Sequence, residues 1–374
     1  MSILDMPARV RRVDKKFPAV FFRSMLDVKY WFRRKYIKSF HWEYWPMWMV
    51  YFPVSFYYLW LCTKIRSLFF FSAANPTIET GGMFFESKWD IFKLIPQQYY
   101  PVTAIVHAGT SIESTLSKMQ ENGLTFPVIA KPDRGERGWC VEIVENMEAL
   151  KNYLARHPID FLLQQYINFP LEMSIFYYRH PSDEHGRITS VTQKEYLNVT
   201  GDGHSTLLEL IIKSDRAFLQ LERLKKNAAI RLNKIIPQGT NEVLVPYGNH
   251  VRGAMFLDKE NIIDKELTDL FDLISKQIPG FYYGRFDFKC NSLEELKKGK
   301  LSILELNGSG AEPAHIYQPG YSFFKAQRVL ARHYKMMYAA ARSNHQTGTA
   351  YMTLRSYKEI KAAEKLYKQR VLTS

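Results

Sequence analysis

The sequence is poor in cysteine and in uninterrupted apolar segments. Its 374 residues include only three cysteines, Cys62, Cys140 and Cys290, and their spacing fits neither a disulfide framework nor a metal-binding motif. The first 20 residues contain no apolar core of the kind that a cleavable signal peptide needs. These absences argue against a disulfide-stapled secreted fold and predict a reducing, cytoplasmic environment.

Acidic residues are scarce at both ends of the chain. Residues 1–40 contain 11 Lys and Arg against 3 Asp and Glu, and residues 321–374 contain 11 against 2. These ends carry +8 and +9, or +17 together. Since the whole chain carries +14, residues 41–320 carry −3. Two basic ends favour an anionic membrane surface as partner, while an ordinary solvated surface is the alternative. Nucleic acid is not expected, because no recognised binding motif is present.

The segment Tyr44–Cys62 is a run of 19 residues without a charged side chain. Pro46 and Pro53 argue against a regular spanning helix, and its Trp and Tyr side chains prefer the membrane interface. Basic residues flank the run on both sides. We therefore favour a segment that lies in the interface on the inner face of a membrane. A spanning helix, and an aromatic wall that covers a core or lines a pocket for an apolar substrate, are the alternatives.

Two short β-type segments near residue 300 carry oxygen ligands. Asp287 lies in the first, and Glu305 and Asn307 lie in the second. Mg²⁺ is usually held by one or two carboxylates together with substrate phosphates. Arg285 precedes the aspartate by two residues, so on a strand it points to the same face and suits a developing negative charge. The pattern predicts a site for phosphoryl transfer.

Nucleotide-binding candidates lie upstream of these segments. The sequence predicts a strand that ends in a lysine, a loop with two glycines, and further strands with polar side chains. The glycines let backbone N–H groups approach phosphate oxygens closely, although an ordinary surface turn would have the same composition. The candidate residues are Lys131, Gly135, Gly138, Gln164, Gln165, Ile167, Glu172 and Lys194.

The order of these motifs resembles the ATP-grasp ligases, in particular D-alanine–D-alanine ligase and the cyanophycin and glutathione synthetases. The resemblance covers about residues 120–318 and rests on FPVIAKP, LLQQYI, Glu172, QKEY, GDGHSTLLELI, GRFDFK and LELNGSG. It implies an α/β protein of the α+β ATP-grasp type, in which two α+β subdomains clamp ATP.

The resemblance also implies roles for single residues. Lys131 and Lys194 would bind the ATP phosphates, Gln164, Gln165 and Ile167 the adenine, and Glu172 the ribose. Asp287, Glu305 and Asn307 would hold two Mg²⁺ ions, with Mn²⁺ as an alternative, and Arg285 would stabilise an acyl-phosphate and a tetrahedral intermediate, with Ser309 and Gly310 nearby.

An ADP-forming carboxylate–amine ligase is the activity that the resemblance implies. The acid and the amine are small molecules or lipid-linked groups, and the resemblance does not identify them. Arg252, with His250 as a second candidate, stands where such ligases often place a substrate-facing arginine, and Gln164 replaces the usual acid of the adenine hinge. A phosphotransferase and a non-catalytic nucleotide-binding membrane scaffold are the alternatives.

The expected organisation has four parts. They are an aromatic, basic and helical N-terminal segment (1–88), the remnant of a preceding domain (89–122), the ATP-grasp domain (123–320) and basic C-terminal helices (321–374). The helices are expected at Tyr321–Arg342 and Leu354–Arg370, separated by the polar linker Ser343–Thr349.

Overall fold

The computed structural model describes residues 19–136, 138–227, 230–246, 248 and 250–372. The expectation that the first 20 residues contain no signal peptide therefore concerns residues that lie almost entirely outside this description. The chain forms two compact units, Met1–Trp45 and Pro46–Ser374. The division at residue 45 differs from the expected boundary at residue 88, because residues 46–88 pack with the remainder of the larger unit.

The described part of the first unit is helical. Helix α1 (Ala19–Phe40) is followed by a 3₁₀ turn, Trp42–Tyr44. The backbone N–H of His41 donates to the carbonyl of Ile37 where the helix ends, and the indole of Trp45 donates to the carbonyl of Ser39.

Two antiparallel sheets form the centre of the larger unit. The four-stranded sheet has the order β1-β4-β2-β3, and the five-stranded sheet has the order β11-β10-β5-β6-β9, while β7 and β8 pair by themselves. The strands are β1 (Thr103–Val106), β2 (Val128–Pro132), β3 (Glu142–Val144), β4 (Phe161–Gln165), β5 (Leu171–Tyr178), β6 (Arg187–Glu195), β7 (Leu197–Thr200), β8 (Asn241–Val245), β9 (Met255–Asp258), β10 (Tyr283–Cys290) and β11 (Ser302–Asn307).

Helices cover the outer faces of both sheets. Ser and Asn or Asp side chains cap several of them, because each accepts a hydrogen bond from an N–H of the first helical turn; examples are Ser111, Asn146 and Asp264. The helices are α2 (Met47–Ile65), α3 (Lys88–Leu94), α4 (Ile112–Glu121), α5 (Met147–Arg156), α6 (Leu207–Lys213), α7 (Asp215–Leu219), α8 (Leu221–Leu224), α9 (Lys265–Lys276), α10 (Leu293–Lys297), α11 (Phe323–Gln346) and α12 (Leu354–Leu372).

Alternation along the strands separates a core face from a polar face in each sheet. Phe286 and Phe288 of β10 are fully buried and pack against Phe271 of α9. In the other sheet, Leu163 of β4 packs in a core with Tyr153 of α5. The mixed helix and antiparallel-sheet architecture confirms the predicted α+β class.

Helix α2 packs against α11 through one face. Val50, Val54 and Leu61 are buried there, Gln327 donates a hydrogen bond to the carbonyl of Val50, and Tyr58 contacts Tyr334. Within the run Tyr44–Cys62, the aliphatic Val50, Val54 and Leu61 therefore lie in a helical core, whereas the aromatic Trp48, Phe52, Phe56 and Trp60 are exposed. Among the helices that the structure describes, none is long and apolar enough to cross a bilayer.

The expected boundary between the two C-terminal helices differs from the one observed. Helix α11 continues through Gln346, so the first four of the seven residues in the expected linker Ser343–Thr349 are helical. The buried side chain of Asn344 explains the extension, because its amide donates to the carbonyls of Ala73 and Ala74. This long-range contact is not visible in a polar local sequence.

Candidate functional site

One face of the five-stranded sheet carries most of the predicted site. The period of two places Arg285, Asp287 and Lys289 of β10 on the same side. Asp287 lies directly opposite Glu305 of β11, and Lys289 lies opposite Glu172 of β5, which in turn pairs with Lys194 of β6. Directly opposite residues share a face at about 5 Å between Cβ atoms, so the sheet itself assembles these charges.

Asp287 is the centre of a buried ionic network. The Arg285 guanidinium donates from Nε and Nη2 to the two carboxylate oxygens at 3.0 Å, Lys194 Nζ lies 3.4 Å away, and Asn307 donates at 3.1 Å. Burial raises the pKa of Asp287, but Arg285 and Lys194 outweigh it and hold the pKa well below its usual range. Asp287 is therefore a permanent anion at neutral pH.

A β-bulge joins this network to the four-stranded sheet. The register between β10 and β11 shifts after Asp287, so Leu304 has no partner opposite it. The backbone carbonyl of Leu304 accepts a hydrogen bond from Lys131 Nζ at 2.9 Å. The same ammonium donates a second hydrogen bond to Gln164 Oε1 at 2.8 Å. Burial lowers the pKa of Lys131 to about 7, because few charges compensate the desolvated ammonium.

The glycine loop between β2 and β3 closes over the site. Gly135 has φ +144°, and a Cβ added there would lie 3.0 Å from the ring of Trp139, so the tight turn requires glycine. Arg252, in a 3₁₀ turn, donates to the carbonyl of Gly138 at 2.8 Å. Lys88 contacts the carbonyl of Gly135 and lies 3.8 Å from Glu305.

The hinge segment after β4 is held by Lys289. The Lys289 ammonium donates to the carbonyl of Ile167 at 3.0 Å and lies over the rings of Tyr166 and Tyr196. Glu172 accepts a hydrogen bond from the Tyr196 hydroxyl at 2.9 Å. The backbone beyond Gln165 is thus fixed beside a carboxylate, an arrangement suited to a purine edge and a ribose.

The loop after β11 is bound to the segment before α3. The N–H groups of Ser309 and Gly310 donate to the carbonyls of Gly81 and Gly82, and Ser309 Oγ donates to the carbonyl of Phe71. Both N–H groups are therefore engaged by the protein. A Cβ on Gly82 would lie 2.7 Å from the Cα of Gly308, which shows how closely the two backbones approach.

These elements enclose a cleft of about 360 Å³. Eleven of the fifteen residues proposed from the sequence line it; they are Lys131, Gly135, Gly138, Gln164, Gln165, Ile167, Glu172, Lys194, Arg252, Asp287 and Glu305. Arg285 and Asn307 lie beside it through their bonds to Asp287, whereas Ser309 and Gly310 serve the loop contact described above. His250 packs against the rings of Phe256 and Tyr317.

Sequence reasoning missed several lining residues. Lys289 follows Asp287 by two positions, so the alternation that selected Arg285 also predicts its direction. Lys88 belongs to a glycine-rich segment whose approach to the site depends on contacts far along the chain. Trp139 and Tyr196 carry no local signal that distinguishes them from core aromatics. All four line the cleft.

The charges of the cleft suit a polyphosphate. Among the residues that the structure describes, five basic side chains line it against three carboxylates; they are Lys88, Lys131, Lys194, Arg252 and Lys289 against Glu172, Asp287 and Glu305. The apolar side chains of Ile129, Ile143 and Trp139 line the same cleft and offer a flat purine a dry surface. The combination of excess positive charge and an apolar slot is typical of a nucleotide site.

The donor set also fits a magnesium ion. In the part of the chain that the structure describes, no group of three or more His, Cys, Asp and Glu residues forms a metal site by itself. Asp287 and Glu305 nevertheless face the same cleft from directly opposite positions. Two carboxylates, completed by phosphate oxygens and the side-chain oxygen of Asn307, are ligands of the kind that Mg²⁺ prefers.

Comparison with known proteins gives no match to a family model and no match to a curated protein. Solved structures that resemble the chain include a bifunctional glutathione synthetase from Pasteurella multocida, VanG D-Ala:D-Ser ligase from Enterococcus faecalis, and D-alanine–D-alanine ligase from Bacillus anthracis complexed with ATP. The TM-scores are 0.38, 0.38 and 0.39, and the sequence identities are 18%, 14% and 14%.

The matches cover 66%, 66% and 70% of this chain, which spans 36%, 61% and 68% of the three structures. Their names include two of the enzymes that the sequence motifs resemble. TM-scores of this size carry no argument about substrate or activity, so the function rests on the residues of the cleft.

Proposed function

We propose that the chain is an ATP-dependent ligase that joins a carboxylate to an amine and releases ADP and phosphate. The observation that carries the proposal is the cleft itself. Its opposed pair Asp287 and Glu305 faces the ammonium groups of Lys88, Lys131 and Lys194. Carboxylates for a metal and cations for phosphates are the two requirements of phosphoryl transfer.

ATP binding follows from the positions of these groups. The adenine lies against Ile129 and Trp139, and its edge faces the backbone of residues 165–168. Glu172 accepts hydrogen bonds from the ribose hydroxyls, and the lysines neutralise the phosphates. When Mg²⁺ is bound by Asp287 and Glu305, it neutralises phosphate charge and orients the γ-phosphoryl group.

The chemistry proceeds in two balanced steps. An oxygen of the substrate carboxylate attacks the γ-phosphorus, and the bond between that phosphorus and the β-phosphate oxygen breaks. The products of this step are an acyl-phosphate and ADP. The amine then attacks the acyl carbon, the bond between that carbon and the phosphate oxygen breaks, and the departing phosphate takes up the proton that the amine loses. Arg285 holds Asp287 in place and supplies positive charge close to the reacting carboxyl group.

The position of α2 supports an acid or amine that is attached to a lipid or is itself hydrophobic. Arg285 Nη1 donates to the backbone carbonyl of Glu312 at 2.9 Å, and the Glu312 carboxylate accepts from the Tyr51 hydroxyl of α2 at 2.6 Å. A single residue therefore separates the proposed reaction centre from the aromatic helix.

A phosphotransferase is the second candidate. The engaged N–H groups of Ser309 and Gly310 favour it, because a ligase would gain from free backbone donors at a tetrahedral oxyanion. Such an enzyme would use the same lysines and carboxylates and would release a stable phosphorylated product without any amine.

The decisive test measures Mg²⁺-dependent ADP release by the purified protein. Detergent-solubilised lipid extract and pooled amino acids are supplied separately and together, and hydroxylamine is added to trap an acyl-phosphate as a hydroxamate. ADP with hydroxamate, absent in the Glu305→Gln variant, would support the ligase. ADP with a stable phosphorylated product and no amine requirement would support the phosphotransferase. ATP binding without turnover in any mixture would support a nucleotide-binding scaffold.

A further inference from the structure

The outer face of α2 exposes a continuous apolar stripe. Trp48, Phe52, Phe56 and Trp60 follow each other at intervals of four residues, and Leu59 lies beside them. Their side chains are between 48% and 71% exposed. The stripe extends over about 18 Å of helix and exposes roughly 600 Å² of apolar side chain. Patches of this size on soluble surfaces mark interaction sites.

The stripe is not an edge of the core. The buried residues of α2, such as Val50, Val54 and Leu61, face α11 and already supply the packing that holds the helix. Between Trp48 and Trp60, every exposed side chain is apolar, Pro53 included. Exposure of this face gives the fold no stability, so its composition requires another explanation.

Helix α2 and the helix that packs against it carry positive charge and no acidic residue of their own. Helices α2 and α11, which pack together, contain no Asp or Glu and six Lys and Arg: Lys64, Lys325, Arg328, Arg332, Lys335 and Arg342. Lys64 lies 3.9 Å from the centre of the Trp60 ring. The ammonium thus stands at the end of the apolar stripe, where a side chain can reach from an apolar layer to charged headgroups.

The first unit repeats the pattern by itself. Val28, Phe32, Tyr36 and Phe40 of α1 are exposed and also follow each other at intervals of four residues. Lys35 lies 5.5 Å from the ring of Trp31 on the same helix. The same combination of aromatic stripe and cation–π pair thus occurs twice, on two separate units.

We propose that the α2 stripe, Trp48, Phe52, Phe56, Leu59 and Trp60, inserts into the interface of an anionic lipid bilayer. Trp and Phe enter the boundary between headgroups and acyl chains, and Lys64 at the end of the stripe reaches anionic headgroups. A second copy of the chain is a poor occupant, because it would place the same positive charge opposite itself. The proposal is independent of the proposed enzyme activity.

The experiment is sedimentation of the full chain with vesicles of phosphatidylcholine, with or without about one third phosphatidylserine. The double variant Phe52→Gln/Phe56→Gln removes the centre of the stripe and keeps helix-forming residues. The control Leu273→Gln/Leu293→Gln changes two exposed leucines on α9 and α10. Light scattering measures the oligomeric state of each protein, and circular dichroism shows that each is folded.

The expected result is binding to the anionic vesicles that falls at least about tenfold in the α2 variant and remains unchanged in the control. Binding should also weaken as salt rises from about 0.1 M to about 0.5 M. Three results would overturn the proposal: no binding to anionic vesicles, binding that the α2 variant leaves unchanged, or a dimer that only the α2 variant dissociates. Failure of ADP release would not affect any of these outcomes.

Discussion

The cleft and the α2–α11 pair are both rich in positive charge, but they hold it differently. In the cleft, Arg285 and Lys194 are buried and paired with Asp287. On α2 and α11, the exposed cations have no acid on either helix, and the exposed stripe of α2 is apolar. Paired, buried cations fix a geometry, whereas exposed cations attract a charged surface. The two regions therefore suit a small anion and an extended anionic layer respectively.

The largest effects are expected at two carboxylates of the cleft, Asp287 and Glu305, which should be alike in their effect on activity and different in their effect on stability. We expect Asp287→Asn and Glu305→Gln each to lower Mg²⁺-dependent ADP release by about 10²–10³-fold. Asp287→Asn should also cost about 3–5 kcal/mol of unfolding free energy, because it leaves Arg285 and Lys194 buried without their counter-ion. Glu305 is 38% exposed, so Glu305→Gln should change stability by less than about 1 kcal/mol.

Urea unfolding monitored by fluorescence, beside the ADP assay, measures both effects. Equal losses of stability in the two variants would contradict the buried network around Asp287.

The two faces of α2 should differ almost as strongly. Leu61→Ala on the buried face should cost about 2–4 kcal/mol, because Leu61 is 2% exposed. Phe52→Gln on the outer face should change the unfolding free energy by less than about 0.5 kcal/mol. Thermal and urea unfolding of the pair measures the contrast. A large loss in the Phe52 variant would show that the outer stripe contributes to the fold.

The glycine contact beside the reaction centre gives the next effect. Gly82→Ala should cost about 2 kcal/mol or more, because a Cβ would meet the backbone of Gly308 and because φ is +76°. Gly109→Ala is the matched control, since its φ is +80° and its Cβ would enter open space. The difference between the two variants in urea unfolding isolates the close approach from the strained dihedral angle.

The smallest effect concerns the protonation of Lys131. Burial lowers its pKa to about 7, and a bound phosphate raises that pKa, so ATP binding takes up a proton. ATP affinity should fall up to about tenfold between about pH 6 and about pH 8, as the protonated fraction falls. Calorimetry at several pH values measures this, and Lys131→Arg should remove most of the change because arginine stays charged.

The sequence predicted the parts of the site that local patterns determine. Alternation placed Arg285 and Asp287 on one face, and the order of motifs placed Lys131 and Glu172 around the same cleft. The sequence did not predict that the N–H groups of Ser309 and Gly310 bond to Gly81 and Gly82, because these hydrogen bonds join segments that are far apart in the chain. Lys88 was not assigned for the same reason. The inner packing of α2 also depends on α11, which no local pattern identifies.

The contact between Asn75 and Tyr283 has a consequence for the order of folding. The buried Asn75 side chain bonds to the carbonyls of Gly81 and Tyr283, although Asn75 and Tyr283 are 208 residues apart. Contacts of such separation carry a high loop-closure entropy and form late. The loop beside Arg285 therefore becomes ordered only after most of the chain has been synthesised and packed. The main core has the same dependence, because Ile78 and Phe92 pack in one cluster with Phe286 and Leu306.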